Sequence, residues 1–335
     1  MKFYVFKAAL QTTMKAKGFC LALCLQLLIS SVISAQTVPL TKGPRAATTA
    51  TLQDLVNEAA RATLQNFRDK ELEESQLSIT LIDLRHPNGP VTASYRGNER
   101  IYPASVVKLF YLAAVHRWLE DKRISDTPEL QRAVKDMIVD SSNEATQYIV
   151  DVLTGTTSGI ELPRRQMQQW QYKRNAVNRY FASLGYTNIN VNQKTFCEDA
   201  YGRENVSRGP KGENRNKLTT DATARLLMEI ASGKAVSPAR SRQMMDLMKR
   251  EYAGKGSPGD QAHGFTGIAL NGISGAGLWS KAGWTSTTRH DAAYIELPNG
   301  SRFVLVTFTT DHATEREIIP TVARVVIQGL GNVAP

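Results

Sequence analysis

Leu52, Leu55, Val56, Ala59, Ala62 and Leu64 recur at the three- and four-residue spacing of one helix face, predicting a helix from Leu52 to about Lys70. The pattern then changes. Leu77–Leu84 and Val91–Tyr95 are short apolar runs separated by His86-Pro87-Asn88-Gly89, the signature of a β-hairpin. The far end mirrors this, with Ala292–Leu297, a turn at Pro298-Asn299-Gly300, and Phe303–Phe308. A last helix is predicted through Val322, Val325, Val326 and Ile327, with Pro320 near its start. Between the two strand regions the periodicity is helical. Ser125-Asp126-Thr127-Pro128 and Ser237-Pro238 read as helix starts, with proline tolerated in the first turn. Thr219 or Thr220 caps a helix that Gly233 closes.

Strands at both ends and helices between them predict an α+β fold. The N- and C-terminal strands form one antiparallel sheet, and an all-helical lobe is inserted between them. The expected boundaries are an α/β lobe over 51–104 and 278–335 and a helical lobe over 105–277. Residues 1–50 differ from the rest. Lys2, Lys7, Lys15 and Lys17 precede an apolar run from Phe19 to Ile33, and Ser34-Ala35-Gln36 follows, which reads as a secretory signal over 1–35 with a cut after Ala35. Residues 36–50 read as a linker. The run is short for a stable membrane span, so an exported, periplasmic or extracellular protein is expected.

Composition narrows this modestly. The chain has 335 residues, 42% of them hydrophobic, and a formal charge of +10 that falls to +6 once the four leader lysines are gone. A mildly basic exported protein suits an anionic envelope or an acidic substrate, not nucleic acid. Cys20 and Cys24 lie in the leader, leaving Cys197 alone, so neither an internal disulfide nor a cysteine zinc site is expected. No His/Asp/Glu grouping has metal-ligand spacing, and no cofactor is expected.

The candidate chemistry begins at Ser105-Val106-Val107-Lys108, which opens the apolar run Leu109–Val115. Positions i and i+3 share a helix face, so the Lys108 amine can take a proton from Ser105 Oγ. The helix start supplies free N–H groups where an oxyanion would form. Asp140-Ser141-Ser142-Asn143 offers Ser141 as a proton relay and the Asn143 amide as a clamp for a substrate carbonyl. Trp279-Ser280-Lys281-Ala282-Gly283-Trp284 precedes the C-terminal hairpin. As an edge strand it would present backbone groups to an extended substrate, with Lys281 adding positive charge and Gly283 allowing close approach. The Trp284 N–H would join that of Ser105 as an oxyanion hole.

S-x-x-K, S-x-N and K-[T/S/A]-G in this order resemble the class A β-lactamases and penicillin-binding proteins. The likeness runs from the first hairpin to the final strand and implies a β-lactamase/transpeptidase-like fold. It implies that Ser105 is acylated, that Lys108 is a base, that Ser141 shuttles a proton, that Asn143 holds substrate and that Lys281 attracts its carboxylate. Arg289, and with it Thr285, His290 or Ser286, would help at the carboxylate. The implied substrate is a β-lactam or a peptidoglycan stem peptide ending in D-Ala-D-Ala. A penicillin-binding sensor or cell-wall-binding module that acylates and stalls is the alternative from another class.

The departures are specific. Ala282 replaces the Thr or Ser whose hydroxyl serves the carboxylate, and Ser142 stands where class A enzymes have Asp. No E-x-x-L-N pattern, the source of the deacylating carboxylate in class A enzymes, is present between Leu184 and Asp199. Glu198 is the nearest candidate base, with Asp199 and Glu204 behind it. Other features have plainer readings. Arg289 can pair with Asp291 or Glu296, Arg164–Arg179 reads as a solvated helix face or a partner surface, and the glycine-rich stretch Gly254–Gly277 as a flexible rim beside the site rather than a phosphate loop.

Overall fold

The computed structural model describes residues 49–196, 199–254, 256–257 and 260–332. The leader, the linker up to Thr48, and Glu198 lie outside the described residues. Five strands form one antiparallel sheet: β1 (Leu77–Asp83), β2 (Val91–Tyr95), β3 (Gly277–Trp284), β4 (Thr288–Glu296) and β5 (Arg302–Thr310), in the order β2-β1-β5-β4-β3. The N-terminal hairpin docks on the C-terminal meander through β1 and β5, with Leu81 opposite Leu305. Among the described residues the helices are α1 (Thr49–Asn66), α2 (Lys108–Glu120), α3 (Pro128–Ile138), α4 (Asn143–Thr154), α5 (Arg164–Arg174), α6 (Ala176–Ser183), α7 (Gly202–Arg208), α8 (Thr220–Ala231), α9 (Pro238–Met248) and α10 (Ile318–Asn332).

Both faces of the sheet are covered. Ile79, Leu81, Ala293, Ile295, Phe303 and Leu305 pack with Leu52, Val56, Val322 and Val326 of α1 and α10. Ile82, Ala292, Tyr294, Val304, Val306 and Phe308 pack with the helical lobe. Burial on both faces explains why β1 is buried at every position rather than at alternate ones. α2 runs through the middle of the helical lobe and is buried from Lys108 to His116, as its near-continuous apolar sequence requires. The helix-start signals hold locally: the hydroxyls of Thr127, Thr219 and Ser237 accept from Leu130, Ala222 and Arg240 N–H. Among the described residues no helix is long and apolar enough to cross a membrane.

Two expectations are corrected. β4 begins at Thr288, four residues before Ala292, because Arg289, His290 and Asp291 are polar yet buried in the sheet. The run Arg164–Arg179 is not one solvated face: it breaks at Asn175 into α5 and α6. Arg174 is wholly buried, bonded to Glu204 through Nη1 and Nη2 at 3.0 and 2.6 Å.

Candidate active site

Ser105 lies in a 3₁₀ turn, Ala104–Val107, that leads into α2. In this tighter helix residues i and i+3 eclipse, which sets Ser105 and Lys108 on one face. Ser105 is half-buried and Lys108 fully buried. Lys108 Nζ donates to Ser141 O (2.5 Å) and Asn143 Oδ1 (2.9 Å), and lies 3.3 Å from Ser141 Oγ. Ser141 sits in the turn between α3 and α4, and Ser142 rather than Ser141 caps α4 by accepting from Ala145 N–H. Asn143 is the first residue of α4, and its Nδ2 donates to Phe196 O at 3.3 Å. Ala104 and Ser141, one on each side of this cluster, hold positive φ of 46° and 57°, a conformation costly for residues with a Cβ.

β3 is the edge strand of the sheet and crosses the first turn at Ser105. A Cβ on Gly283 would lie 2.7 Å from Ser105 N, 2.8 Å from Val106 N and 2.9 Å from Pro103 O, so only glycine permits this approach. Register settles where the Trp284 N–H points. Thr285 N–H donates to Thr288 O, making these two a hydrogen-bonded pair, so the backbone groups of Trp284, one step along, face away from β4. The other outward groups follow the same parity. Leu278 O accepts from Arg250 N–H, Ser280 O from the Arg250 guanidinium, and Ala282 N–H donates to Gln261 Oε1 at 3.1 Å. Trp284 N–H thus faces the outer side of β3, on the same edge as the Ala282 N–H.

Lys281 points to the helical lobe and is 0% exposed. Its Nζ lies 3.0 Å from Ser141 Oγ, 2.6 Å from Gln261 Oε1 and 2.7 Å from Ala282 O. Burial, then the charge of Lys108, then that of Arg250, hold its pKa well below the usual lysine value. Its N–H groups donate to the Ser141 hydroxyl oxygen and to the two carbonyl oxygens. Ser141 is therefore the bridge between two amines.

The remaining candidates lie further out. Arg289 is 5% exposed; its guanidinium lies 4.0 Å over the Phe265 ring, its Nη2 donates to Gly264 O, and its buried Nε has no hydrogen-bond partner among the described residues. Thr285 is spent on its own turn, accepting from Thr287 and Thr288 N–H, and Ser286 is exposed in that turn. His290 accepts from Thr309 N–H at Nδ1 and donates through Nε2 to Tyr102 O at 2.9 Å, tying the sheet to the segment before Ser105. Of the described acids after Glu198, Asp199 pairs with Arg208, and Glu204 is buried against Arg174. Among the described residues no group of His, Cys, Asp or Glu is arranged to hold a metal.

Two sets of residues escaped the sequence reading. Gln261 and Arg250 both reach Ile138 O at the C-terminus of α3, and Gln261 Nε2 also donates to Val139 O, tying the Ser141 turn to the edge strand. Gln261 sits in a glycine-rich stretch with no periodicity, so no local signal marks it. Asn178, Asn190, Asn192, Asn214 and Asn216 form a side-chain network that holds the segment leading to Phe196. The alternation Asn188, Asn190, Asn192 was a visible trace of it.

The model of the β-lactamase enzyme family matches residues 118–330, beginning just after the S-x-x-K element. A search of curated proteins finds no match. Solved structures share the fold. A β-lactamase from Sphaerobacter thermophilus superposes with a TM-score of 0.61 at 20% identity, covering 84% of this chain and 99% of that one. PBP-A gives 0.58 at 18% identity over 84% and 97%, and a further PBP-A structure is a mutant acyl-enzyme complex with penicillin G. A β-lactamase from Chitinophaga pinensis gives 0.55 at 18% identity over 84% and 99%.

Proposed function

Since the chain belongs to the β-lactamase enzyme family, as a serine hydrolase of amide C–N bonds, we propose that Ser105 is its nucleophile and turns over through an acyl-enzyme. The observation that carries this reading is Ser141 Oγ between Lys108 and Lys281, beside an edge strand that reaches Ser105 at Gly283. Ser105 Oγ attacks the substrate carbonyl carbon as Lys108 accepts its proton, and the carbonyl oxygen becomes an anion held by Ser105 and Trp284 N–H. When the C–N bond breaks, Ser141 Oγ gives its proton to the leaving nitrogen and is reprotonated from a lysine. Water then hydrolyses the ester.

The proposed substrate is a β-lactam, and the proposed location is outside the cytoplasm, on the strength of the basic, then apolar leader. One observation favours a slower second reading, a D-Ala-D-Ala peptidase or a penicillin sensor. No E-x-x-L-N pattern is present, and Asp199 and Glu204 are committed to arginines. A mass-spectrometric time course with benzylpenicillin separates the two. An adduct that decays within seconds as product accumulates marks a β-lactamase; one that persists for hours marks a peptidase or sensor. Ser105→Ala is expected to show no adduct, and labelling that survives the substitution overturns the assignment.

A further inference from the structure

We infer that the groove between α5 and the loop joining α4 to it binds an acidic glycan, a sugar chain whose rings carry carboxylates. The groove has a volume of about 870 Å³, room for more than one sugar ring, and its residues have no part in the acyl transfer proposed at Ser105.

Its charge is one-sided. Arg165 and Lys173 on α5 and Arg203 on α7 line it, and among the described residues no acid does. Arg165 and Lys173 are exposed and make no ion pair or hydrogen bond among the described residues. Arg203 gives Nε to Ile160 O at 3.0 Å, and its two terminal nitrogens have no hydrogen-bond partner among the described residues. Glu161, the one acid of the loop, is exposed but does not line the groove. Glu204, next to Arg203 in the chain, is neutralised by Arg174 and Lys194 and so does not cancel these cations. Three cations set apart by amide side chains suit charges spaced along a chain better than one concentrated phosphate, and each guanidinium fork matches a carboxylate.

The remaining walls suit sugar. Gln166 and Gln169 each offer an amide donor and acceptor to hydroxyl groups, which themselves both donate and accept. Tyr172 is 68% exposed, and Arg179 lies 4.1 Å over its ring and donates to its carbonyl, so one ring face is held and the other can take the C–H face of a sugar. The floor is rigid. Trp170 Nε1 donates to Thr157 O at 3.1 Å, and Arg174 lies 4.3 Å over the indole while its Nε donates to Thr156 Oγ1 at 2.9 Å. Arg203 N–H donates to Gly159 O at 3.1 Å, which ties α7 to the loop, so a ligand meets walls already in place. A flat lipid surface would meet protruding apolar side chains, whereas here amides and cations surround a hollow.

Isothermal titration calorimetry with trigalacturonate, maltotriose and tripolyphosphate presents an acidic sugar, a neutral sugar and charge without sugar. Trigalacturonate is expected to bind with an affinity that falls as salt rises, and the other two about tenfold more weakly or worse. Arg165→Glu with Lys173→Glu is expected to weaken trigalacturonate by about tenfold at an unchanged melting temperature. Tyr172→Ala is expected to weaken it by about fivefold and to leave tripolyphosphate unaffected. Absence of trigalacturonate binding overturns the inference, as does binding that survives the double substitution. Tripolyphosphate binding as tightly as trigalacturonate would mark a plain basic patch and overturn the glycan assignment. Tighter binding to phosphatidylglycerol vesicles, lost in the double variant, would make the groove a lipid-facing surface and overturn it as well.

Discussion

Ser141 Oγ lies 3.3 Å from one amine and 3.0 Å from another, in a residue held at positive φ, a strained conformation that fixes where its side chain projects. His290 shows the same dependence on surroundings in a titrating group. Its Nδ1 accepts from Thr309 N–H, so protonation would set two donors against each other, and burial holds its pKa down to about 4. A histidine depressed in the folded state contributes stability that is complete above its unfolded value near 6.5 and lost as pH falls toward 4. Between pH 7 and 4.5 this loss is about 2–3 kcal/mol. His116, also lowered to about 4, adds to the total, so the difference between wild type and His290→Gln isolates one site. Urea unfolding at both pH values is expected to show a smaller acid loss in the variant; equal losses would remove His290 from the account.

β3 is the edge strand that covers the Ser105 turn and carries the proposed oxyanion donor at Trp284, and Gly283 is where strand and turn meet. A methyl there would meet backbone atoms at 2.7–2.9 Å, none of which can swing aside as a side-chain tip can. Gly283→Ala is expected to displace the Trp284 N–H, slowing acylation by about 100-fold, as loss of one oxyanion donor does. Overpacking adds a stability cost of about 1–3 kcal/mol. Acylation rates with thermal melts check both, and an unchanged acylation rate would show that β3 need not touch the Ser105 turn. At this scale the sequence was largely legible. Val91–Tyr95 is strand β2 to the residue, and Thr127, Thr219 and Ser237 cap their helices, because such elements answer to local propensity. The start of β4 was not legible, since the apolarity expected of a strand is replaced at Arg289–Asp291 by polar groups whose partners are distant in sequence.

The helical lobe depends on a buried ion pair that links the end of α5 to α7. Arg174 and Glu204 are both wholly buried, and Lys194, on the segment leading to Phe196, lies 3.6 Å from the same carboxylate. Without Arg174 the buried Glu204 carboxylate keeps only Lys194 at 3.6 Å and the Ser158 hydroxyl, so Arg174→Met is expected to cost about 3 kcal/mol. Adding Glu204→Leu should recover part of it. Chemical denaturation of the single and double variants measures the coupling, and a double variant no more stable than the single would show that the pair acts independently.

What the sequence by itself determined was the set of elements, the antiparallel joining of the two chain ends, and the three motifs. Periodicity, caps and turns act within a few residues, and S-x-x-K, S-x-N and K-A-G are each local. Only the tertiary structure decided which groups those motifs would meet. Gln261 against Lys281, Arg250 on the end of α3, Arg289 turned onto Phe265 and Glu204 claimed by Arg174 join residues far apart in the chain. The reason is that a buried polar group must find its partner wherever packing places one, and packing is a property of the whole fold.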